Sequence, residues 1–229
     1  MKTECINSIY LMADGNHFDP FKYICTFFIL SSIPIMYEQF FRKFDEKVPL
    51  TAEEQDFVKQ YLTPKKLRKK QYLLQVGDIC KHLCVVEKGA LKAYVLDEAG
   101  QEHITAFALE GWTMGDLSSF IRQEPATLNI DALEDCELVL ISKPAHDELL
   151  RKMPKYETYI RILMTDAYMA LQKRTANMIS LPLNDRYNAL TQMYPNIVQR
   201  VPQHMIASFM GLSPETLSRV RSRITNKKQ

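Results

Sequence analysis

The sequence is poor in features that mark several large classes of protein. Its five cysteines are scattered and odd in number, which argues against a disulfide framework and fits a reducing cytoplasm. Cys80 and Cys84 have no second pair or histidine cluster beside them, so a zinc site is not predicted. There is no internal repeat, and no carboxylates, nucleophiles or bases stand at catalytic spacing. An enzyme is therefore not expected.

The N-terminal part of the chain lacks an apolar run of membrane-spanning length. The uncharged run over residues 23–37 is shorter than the roughly 18 residues that a span requires, and the start is not basic enough for a signal peptide. Three interpretations of residues 1–35 stay open: an apolar extension, a weak membrane anchor, or upstream sequence joined by a wrong start codon. We favour the last, because Met36 begins a typical amphipathic helix.

Positive charge is concentrated at the C-terminal end. From residue 199 onward there are six basic residues and one acidic residue, a net charge of +5. The whole chain carries only +2, so the preceding residues sum to −3. A basic end on a chain of otherwise ordinary composition is the electrostatic footprint of phosphate binding.

Residues 202–224 have the spacing of a helix-turn-helix. Ala207 lets two short helices approach closely, and Gly211 takes the positive φ that ends the first helix. Ser213 then caps the second helix, and Glu215 lies near its positive end. The polar face of that helix, which would contact base edges and phosphates, shows Glu215, Thr216, Ser218, Arg219, Ser222 and Arg223. The alternative is a surface helical hairpin with arginines on its solvent face.

The spacing of apolar residues changes along the central part of the chain, from that of helices to that of strands. Helices are predicted over residues 36–44 and 51–62, the second opened by a capping box of Thr51 and Glu54. Between residues 64 and 143, short runs rich in β-branched and aromatic residues alternate with turns, which predicts an antiparallel sandwich, roll or barrel.

After residue 143 the apolar residues again recur at the spacing of a helix. A short helix is predicted over residues 145–152, a long one from Pro154 to about Ile179, and another over residues 185–194, with a hinge at 180–183. A coiled-coil seam is predicted on the long helix at Ile160, Met164, Ala167, Leu171, Arg174 and Met178. A second apolar stripe lies beside this seam on the same helix. One of the two stripes would pack on the β domain and the other on a second copy of the chain. The alternative is a single helix docked on its own domain.

Several motifs together carry a family resemblance. They are Gly77-Asp78, the hairpin run over residues 82–107, the segment EGWTMGDLSSF over residues 110–120, and PETLSRVRSRI over residues 214–224. With these motifs the chain resembles the Crp/Fnr family of bacterial transcription regulators over residues 36–228. It is most similar to divergent members found in Bacteroidetes-type bacteria.

The resemblance implies an α+β fold in four parts. Residues 1–35 precede the family match, 36–153 form a β-roll like that of cyclic-nucleotide-binding proteins, 154–180 form a long dimerisation helix, and 181–229 form a helix-turn-helix domain. The chain stops at Gln229, so a full wing is not expected. The implied partners are a second copy of the chain, double-stranded DNA with a pseudo-palindromic operator, and RNA polymerase.

The resemblance also implies an effector pocket, although its phosphate-binding residues depart from the family pattern. Gly115, Asp116 and Leu117 match the Gly-Glu-Leu motif of nucleotide-binding members, and Ala126-Thr127 stands where Arg-Ser binds the cyclic phosphate. Ala126 lacks the guanidinium, so cyclic AMP is not expected as a cofactor and the effector is unknown or absent. Sensors based on haem or iron–sulfur clusters are not expected either. The candidate pocket residues are Met114, Gly115, Asp116, Leu117, Ser118, Ala126, Thr127, Leu171 and Gln172.

In the family, three positions of the second C-terminal helix read bases. Pro214, Glu215 and Arg219 occupy them here, with Glu215 placed to accept from a cytosine and Arg219 to donate twice to a guanine. Pro214 replaces a frequent arginine and donates nothing. The remaining candidates for phosphate contact or helix support are Ser213, Thr216, Ser218, Arg221 and Arg223. A ligand-binding or protein-interaction module with a vestigial helix-turn-helix is the alternative function.

Overall fold

The computed structural model describes residues 37–226, with side chains as far as residue 224. The predictions for residues 1–36, including the alternative start at Met36, lie outside this range. Within it, no helix combines the length and apolar character that crossing a membrane requires.

Helices flank a β-rich middle. In chain order the elements are α1 Glu38–Asp45, α2 Ala52–Lys59, β1 Leu62–Leu67, β2 Tyr72–Leu74, β3 His82–Lys88, β4 Leu91–Leu96, β5 Glu102–Ala108, β6 Thr113–Met114, α3 Leu117–Arg122, β7 Asn129–Ala132, β8 Cys136–Ser142, α4 Lys143–Lys152, α5 Pro154–Ser180, α6 Leu183–Met193, α7 Ile197–Arg200, α8 Gln203–Met210 and α9 Pro214–Asn226. The predicted α+β fold with an antiparallel β-roll is confirmed.

Within residues 37–226, eight strands form two antiparallel four-stranded sheets. One has the order β1-β8-β3-β6 and the other β2-β7-β4-β5. Their facing sides enclose an apolar core that includes Cys84, Val86, Leu91, Ile130 and Leu138. Strand β3 is buried on both faces, because α1 and α5 cover its outer side. This double burial explains why its sequence is a continuous apolar run rather than an alternating one.

The start of the β-roll differs from the sequence prediction. The capping box is confirmed: Thr51 Oγ1 accepts from the N–H of Glu54 (3.2 Å), and the Glu54 carboxylate accepts from the N–H of Thr51 (2.7 Å). The predicted extension of that helix to Leu62 is wrong. The helix ends at Lys59, and Leu62 begins β1, where it pairs with Ile141 of β8. Cross-strand pairing outweighs the helical period there.

Helix α5 matches the predicted long helix and buries its N-terminal turns on the β-roll. The ring of Tyr159 stacks on Phe44 with centroids 4.1 Å apart, and the hydroxyl of Tyr156 lies 2.9 Å from Nδ1 of His146. Farther along, α5 turns large apolar side chains to the outside. These are Tyr168, Met169, Leu171, Met178 and Ile179.

The predicted seam is wrong at two of its six positions. Ile160 packs in the cluster between α5 and the β-roll, and the guanidinium carbon of Arg174 lies 3.9 Å from the ring centroid of Phe209. Both side chains therefore face their own chain. The seam positions Leu171 and Met178 are exposed as predicted, and Tyr168, which is outside the predicted seam, is exposed as well.

The C-terminal helices pack directly on the outer face of the second sheet. One apolar cluster joins Tyr94, Ile104 and Phe107 of β4 and β5 to side chains of α6 to α9. Ser208 of α8 extends this contact, since its hydroxyl accepts from the N–H of Ile104 (3.0 Å) and donates to the carbonyl of Glu102 (3.1 Å). The helix-turn-helix is thus held against the β-roll by apolar packing and by hydrogen bonds to a strand.

Candidate nucleic-acid interface and effector pocket

Helices α8 and α9 have the local geometry of a helix-turn-helix. Gly211 ends α8 in the left-handed region with a φ of 68°, as predicted. Ser213 caps α9, because its Oγ accepts from the N–H of Thr216 at 3.2 Å. Leu217 of α9 is completely buried and shares a cluster with Ile206 and Ala207 of α8. These contacts fix one face of α9 and leave the opposite face to solvent.

The outward face of α9 carries most of the predicted DNA-contact residues. The exposed ones are Ser213, Pro214, Glu215, Ser218, Arg219 and Arg223, and Thr216 and Arg221 are half-buried. Glu215 is ionised at neutral pH: a hydrogen bond from its own backbone N–H, then the Ser213 hydroxyl and the charge of Arg219, lower its pKa. A carboxylate and a guanidinium one turn apart form an acceptor–donor pair suited to base edges in the major groove.

Arg200 does not belong to this surface, although it is one of the six basic residues in the positively charged C-terminal part of the chain. Its guanidinium forms two hydrogen bonds to the carboxylate of Glu110, at 2.7 and 2.9 Å, and pairs with Glu134 as well. Burial raises the pKa of Glu110, but hydrogen bonds from Arg200 and from backbone N–H groups outweigh that effect, so its pKa is lowered. Arg200 therefore ties α7 to the β-roll.

In the loop that matches the family's phosphate site, the polar groups form hydrogen bonds to other groups of the protein. Asp116 is only 5% exposed and caps α3. One of its carboxylate oxygens accepts from the N–H of Ser119 (3.0 Å) and the other from the N–H of Thr127 (3.1 Å). The backbone of Ala126 is also paired, donating to the carbonyl of Asp78 and accepting from the N–H of Gly77. No guanidinium stands at Ala126, and Asp116 supports the loop.

A cavity of about 360 Å³ lies beside this loop, inside the mouth of the β-roll. Gly115 is the one predicted pocket residue in its lining, and it lies so close to Leu83 that a Cβ there would approach Cδ2 within 2.7 Å. The polar residues of the lining come from β1, the β2–β3 connection and the first residue of β3, and none of them is among the predicted pocket residues. They are Lys65, Asp78, Lys81 and His82.

The other predicted pocket residues fall into two groups. Met114, Asp116 and Ala126 are buried around α3, and Leu117 and Ser118 are exposed on it. Thr127 is joined to this group by the hydrogen bond from its N–H to Asp116. Leu171 and Gln172 are exposed on α5 and do not line the β-roll cavity.

The chemistry of the β-roll cavity is basic, with one acid. Burial, followed by the charges of Lys65 and Lys81, lowers the pKa of His82, so the imidazole is neutral at pH 7. Burial likewise raises the pKa of the Cys80 thiol, which keeps it protonated. Among the described residues, no group of three or more His, Cys, Asp or Glu side chains could hold a metal ion.

Comparison with known proteins agrees with this architecture. Residues 64–153 match the cyclic nucleotide-binding domain family. The chain is 29% identical over 192 residues to the anaerobic regulatory protein of Pasteurella multocida, which covers 77% of this chain and 69% of that protein. It is also 29% identical over 190 residues to the fumarate and nitrate reduction regulatory protein of Vibrio cholerae, covering 77% and 75% of the two chains.

Solved structures show the same fold at low sequence identity. The structure of FixK2 from Bradyrhizobium japonicum superposes with a TM-score of 0.62 at 15% identity, and the match covers 73% of this chain and 86% of that one. The chain belongs to the Crp/Fnr family of transcription regulators.

Proposed function

We propose that this chain is a homodimeric transcription regulator that binds a pseudo-palindromic operator through α9. The observation that carries the proposal is the outward face of α9, where Glu215, Arg219 and Arg223 are exposed while Leu217 and Val220 anchor the helix in the apolar cluster. A rigidly held helix with a polar outer face suits the major groove. Glu215 and Arg219 would contact base edges, and Ser218 and Arg223 would contact phosphates.

A second copy of the chain would cover the outward stripe of α5. The side chains of Tyr168 and Ile179 are 67% and 84% exposed, and Leu171 lies between them at 60%. Large apolar side chains repeated along one helix face are costly to leave in water and typically mark a protein interface. Two-fold symmetry about this helix would place the two α9 helices about one turn of DNA apart.

The β-roll would not bind cyclic AMP in the family's usual mode. Any ligand to which it responds would be bound differently or would be a different compound. Support comes from Ala126, which offers no charge to a phosphate, and from Asp116, whose two carboxylate oxygens are both engaged within the loop. A buried cyclic phosphate would lack its charge-assisted partner. RNA polymerase is a further proposed partner and rests on family membership alone.

Selection of random DNA duplexes by the purified protein tests the proposal. We expect one enriched pseudo-palindrome with half-sites about ten base pairs apart from centre to centre. The double variant Arg219→Ala/Arg223→Ala should lose the enrichment. Arg68→Ala/Lys69→Ala is the matched control, since it also removes two positive charges, from the exposed β1–β2 loop, and should keep the enrichment. No enriched motif with the parent protein would instead favour an interaction module with a vestigial helix-turn-helix.

A further inference from the structure

A second cavity lies away from the β-roll, between α5, α6 and α8. Its volume is about 350 Å³, roughly that of a dozen liquid water molecules. We propose that this cavity, the hinge cavity, binds a small amphipathic carboxylate, meaning a compound with an aliphatic chain and one carboxylate group. None of the residues predicted for the family's effector pocket lines it.

The wall of the hinge cavity is mostly apolar and adaptable. Met178 of α5, Leu190 and Met193 of α6, and Phe209 and Met210 of α8 face the space. Three of these five are methionines, whose unbranched thioether side chains fit ligands of irregular shape. An aliphatic chain in this space would bury apolar area on both sides.

Three cations face the same space. Lys173 and Arg174 come from α5, and Arg186 comes from α6. No carboxylate lies within ion-pair distance of any of the three in the part of the chain that the structure describes. Lys173 is exposed, but Arg174 and Arg186 are half-buried, and half-buried cations are normally paired.

The two arginines are held in place by backbone carbonyls. Arg174 donates to the carbonyls of Thr105 (2.7 Å) and Phe209 (3.4 Å), and Arg186 donates to the carbonyl of Met210 (2.5 Å). A guanidinium has five N–H donors, so each arginine keeps donors for a ligand. Burial lowers the pKa of the Arg174 guanidinium.

These two features together select the class of ligand. An inorganic anion would compensate the cations and leave the methionine wall unfilled. A neutral hydrocarbon would fill the wall and leave the cations unpaired. A carboxylate on an aliphatic chain satisfies both, since guanidinium groups bind carboxylates through paired, charge-assisted hydrogen bonds.

The position of the hinge cavity gives such a ligand a consequence for DNA binding. The cavity is bounded by α5, which carries the proposed dimer stripe, and by α8, the first helix of the helix-turn-helix. A ligand bridging them stabilises whichever arrangement of α8 and α5 it fits better. This consequence rests on the proposed function, whereas the binding itself does not.

Isothermal titration of the full-length, DNA-free protein with sodium decanoate, below its micelle concentration, tests the site. We expect saturable binding of one decanoate per chain, with decan-1-ol and decylamine at least tenfold weaker. Arg186→Gln should weaken decanoate binding about tenfold or more, because a charge-assisted hydrogen bond is lost. Lys69→Gln is the charge-matched control and should bind like the parent. Absence of binding, or equal binding of decylamine, would overturn the site.

A filled cavity supplies an independent test. Ala189 of α6 is half-buried in the cavity wall, and Ala189→Phe should abolish decanoate binding while leaving the circular dichroism spectrum unchanged. Should this variant misfold, Lys173→Gln on the exposed side of α5 tests the same site, with a loss of affinity of at least threefold expected. Unaltered decanoate affinity in either variant, once it is shown to be folded, would overturn the proposal. If operator binding fails while decanoate binding is intact, the proposed regulator function is refuted and the proposed ligand site is not.

Discussion

Helix α9 and the loop around α3 both carry polar residues at family motif positions, yet they use them in opposite ways. On α9, Arg219 and Arg223 point to solvent while apolar residues anchor the helix. Around α3, Asp116 is buried and both of its carboxylate oxygens accept hydrogen bonds from the same loop. Polar groups that are already satisfied internally have little left to offer a ligand. A motif match therefore locates a site but does not show that its side chains are available.

The first and largest prediction concerns Asp116. Asp116→Ala should lower the free energy of unfolding by about 2–4 kcal/mol, because it removes the cap of α3 and leaves the N–H groups of Ser119 and Thr127 without their acceptor. Urea denaturation at fixed protein concentration measures this. Asp116→Asn is the matched control, since it keeps one acceptor and should cost about half as much. A stability change below ~0.5 kcal/mol for Asp116→Ala would show that the carboxylate is not a structural support.

The second prediction concerns the ion pairs that tie α7 to the β-roll. Arg200→Gln should cost about 1–2 kcal/mol at pH 7, since Glu110 and Glu134 lose their shared partner. The lowered pKa of Glu110 sets the pH dependence. The contribution of Glu110 to the free energy of unfolding is complete above its usual pKa of 4.5. It is lost as the pH falls through the lower pKa of the folded state.

Denaturation of the parent and of Arg200→Gln is compared at pH 7, where Glu110 contributes fully, and at pH 4, where part of that contribution is lost. The stability difference between the two proteins should shrink at the lower pH. A difference that stays constant across this range would mean that Arg200 acts through packing alone. Lys152→Gln serves as the control, because its ion pair with Glu148 joins two residues of one exposed helix face.

The smallest expected effect on stability belongs to α9. Arg219→Ala should change the free energy of unfolding by less than about 0.5 kcal/mol, because its side chain is exposed and away from the apolar cluster. The same denaturation experiment measures it beside Asp116→Ala. A loss of several kcal/mol would remove the contrast between the two regions.

The sequence predicted those features that depend on local chemistry. The capping box at Thr51, the left-handed Gly211 and the long helix α5 all follow from neighbouring residues, and the structure confirms them. Leu62 was misassigned, because its strand state depends on pairing with Ile141, almost 80 residues away in the sequence.

Long-range contacts also explain what was missed at the candidate sites. Arg200 looks like any other C-terminal cation until the fold brings Glu110 and Glu134 beside it. The hinge cavity is formed where α8 packs against the consecutive helices α5 and α6, and no sequence motif marks such a site. Charge counting found the basic end of the chain but did not distinguish cations on its surface from those paired inside.

The affinity of Arg219→Ala for a selected operator tests the central claim that the outward face of α9 reads DNA. Titration of a labelled operator duplex at fixed salt should show a loss of about 1–3 kcal/mol relative to the parent, with one base position relaxed and non-specific binding little changed. The stability measurement above ensures that both proteins are folded. Equal affinity of Arg219→Ala and the parent for that operator would contradict the assignment of α9 as the reading helix.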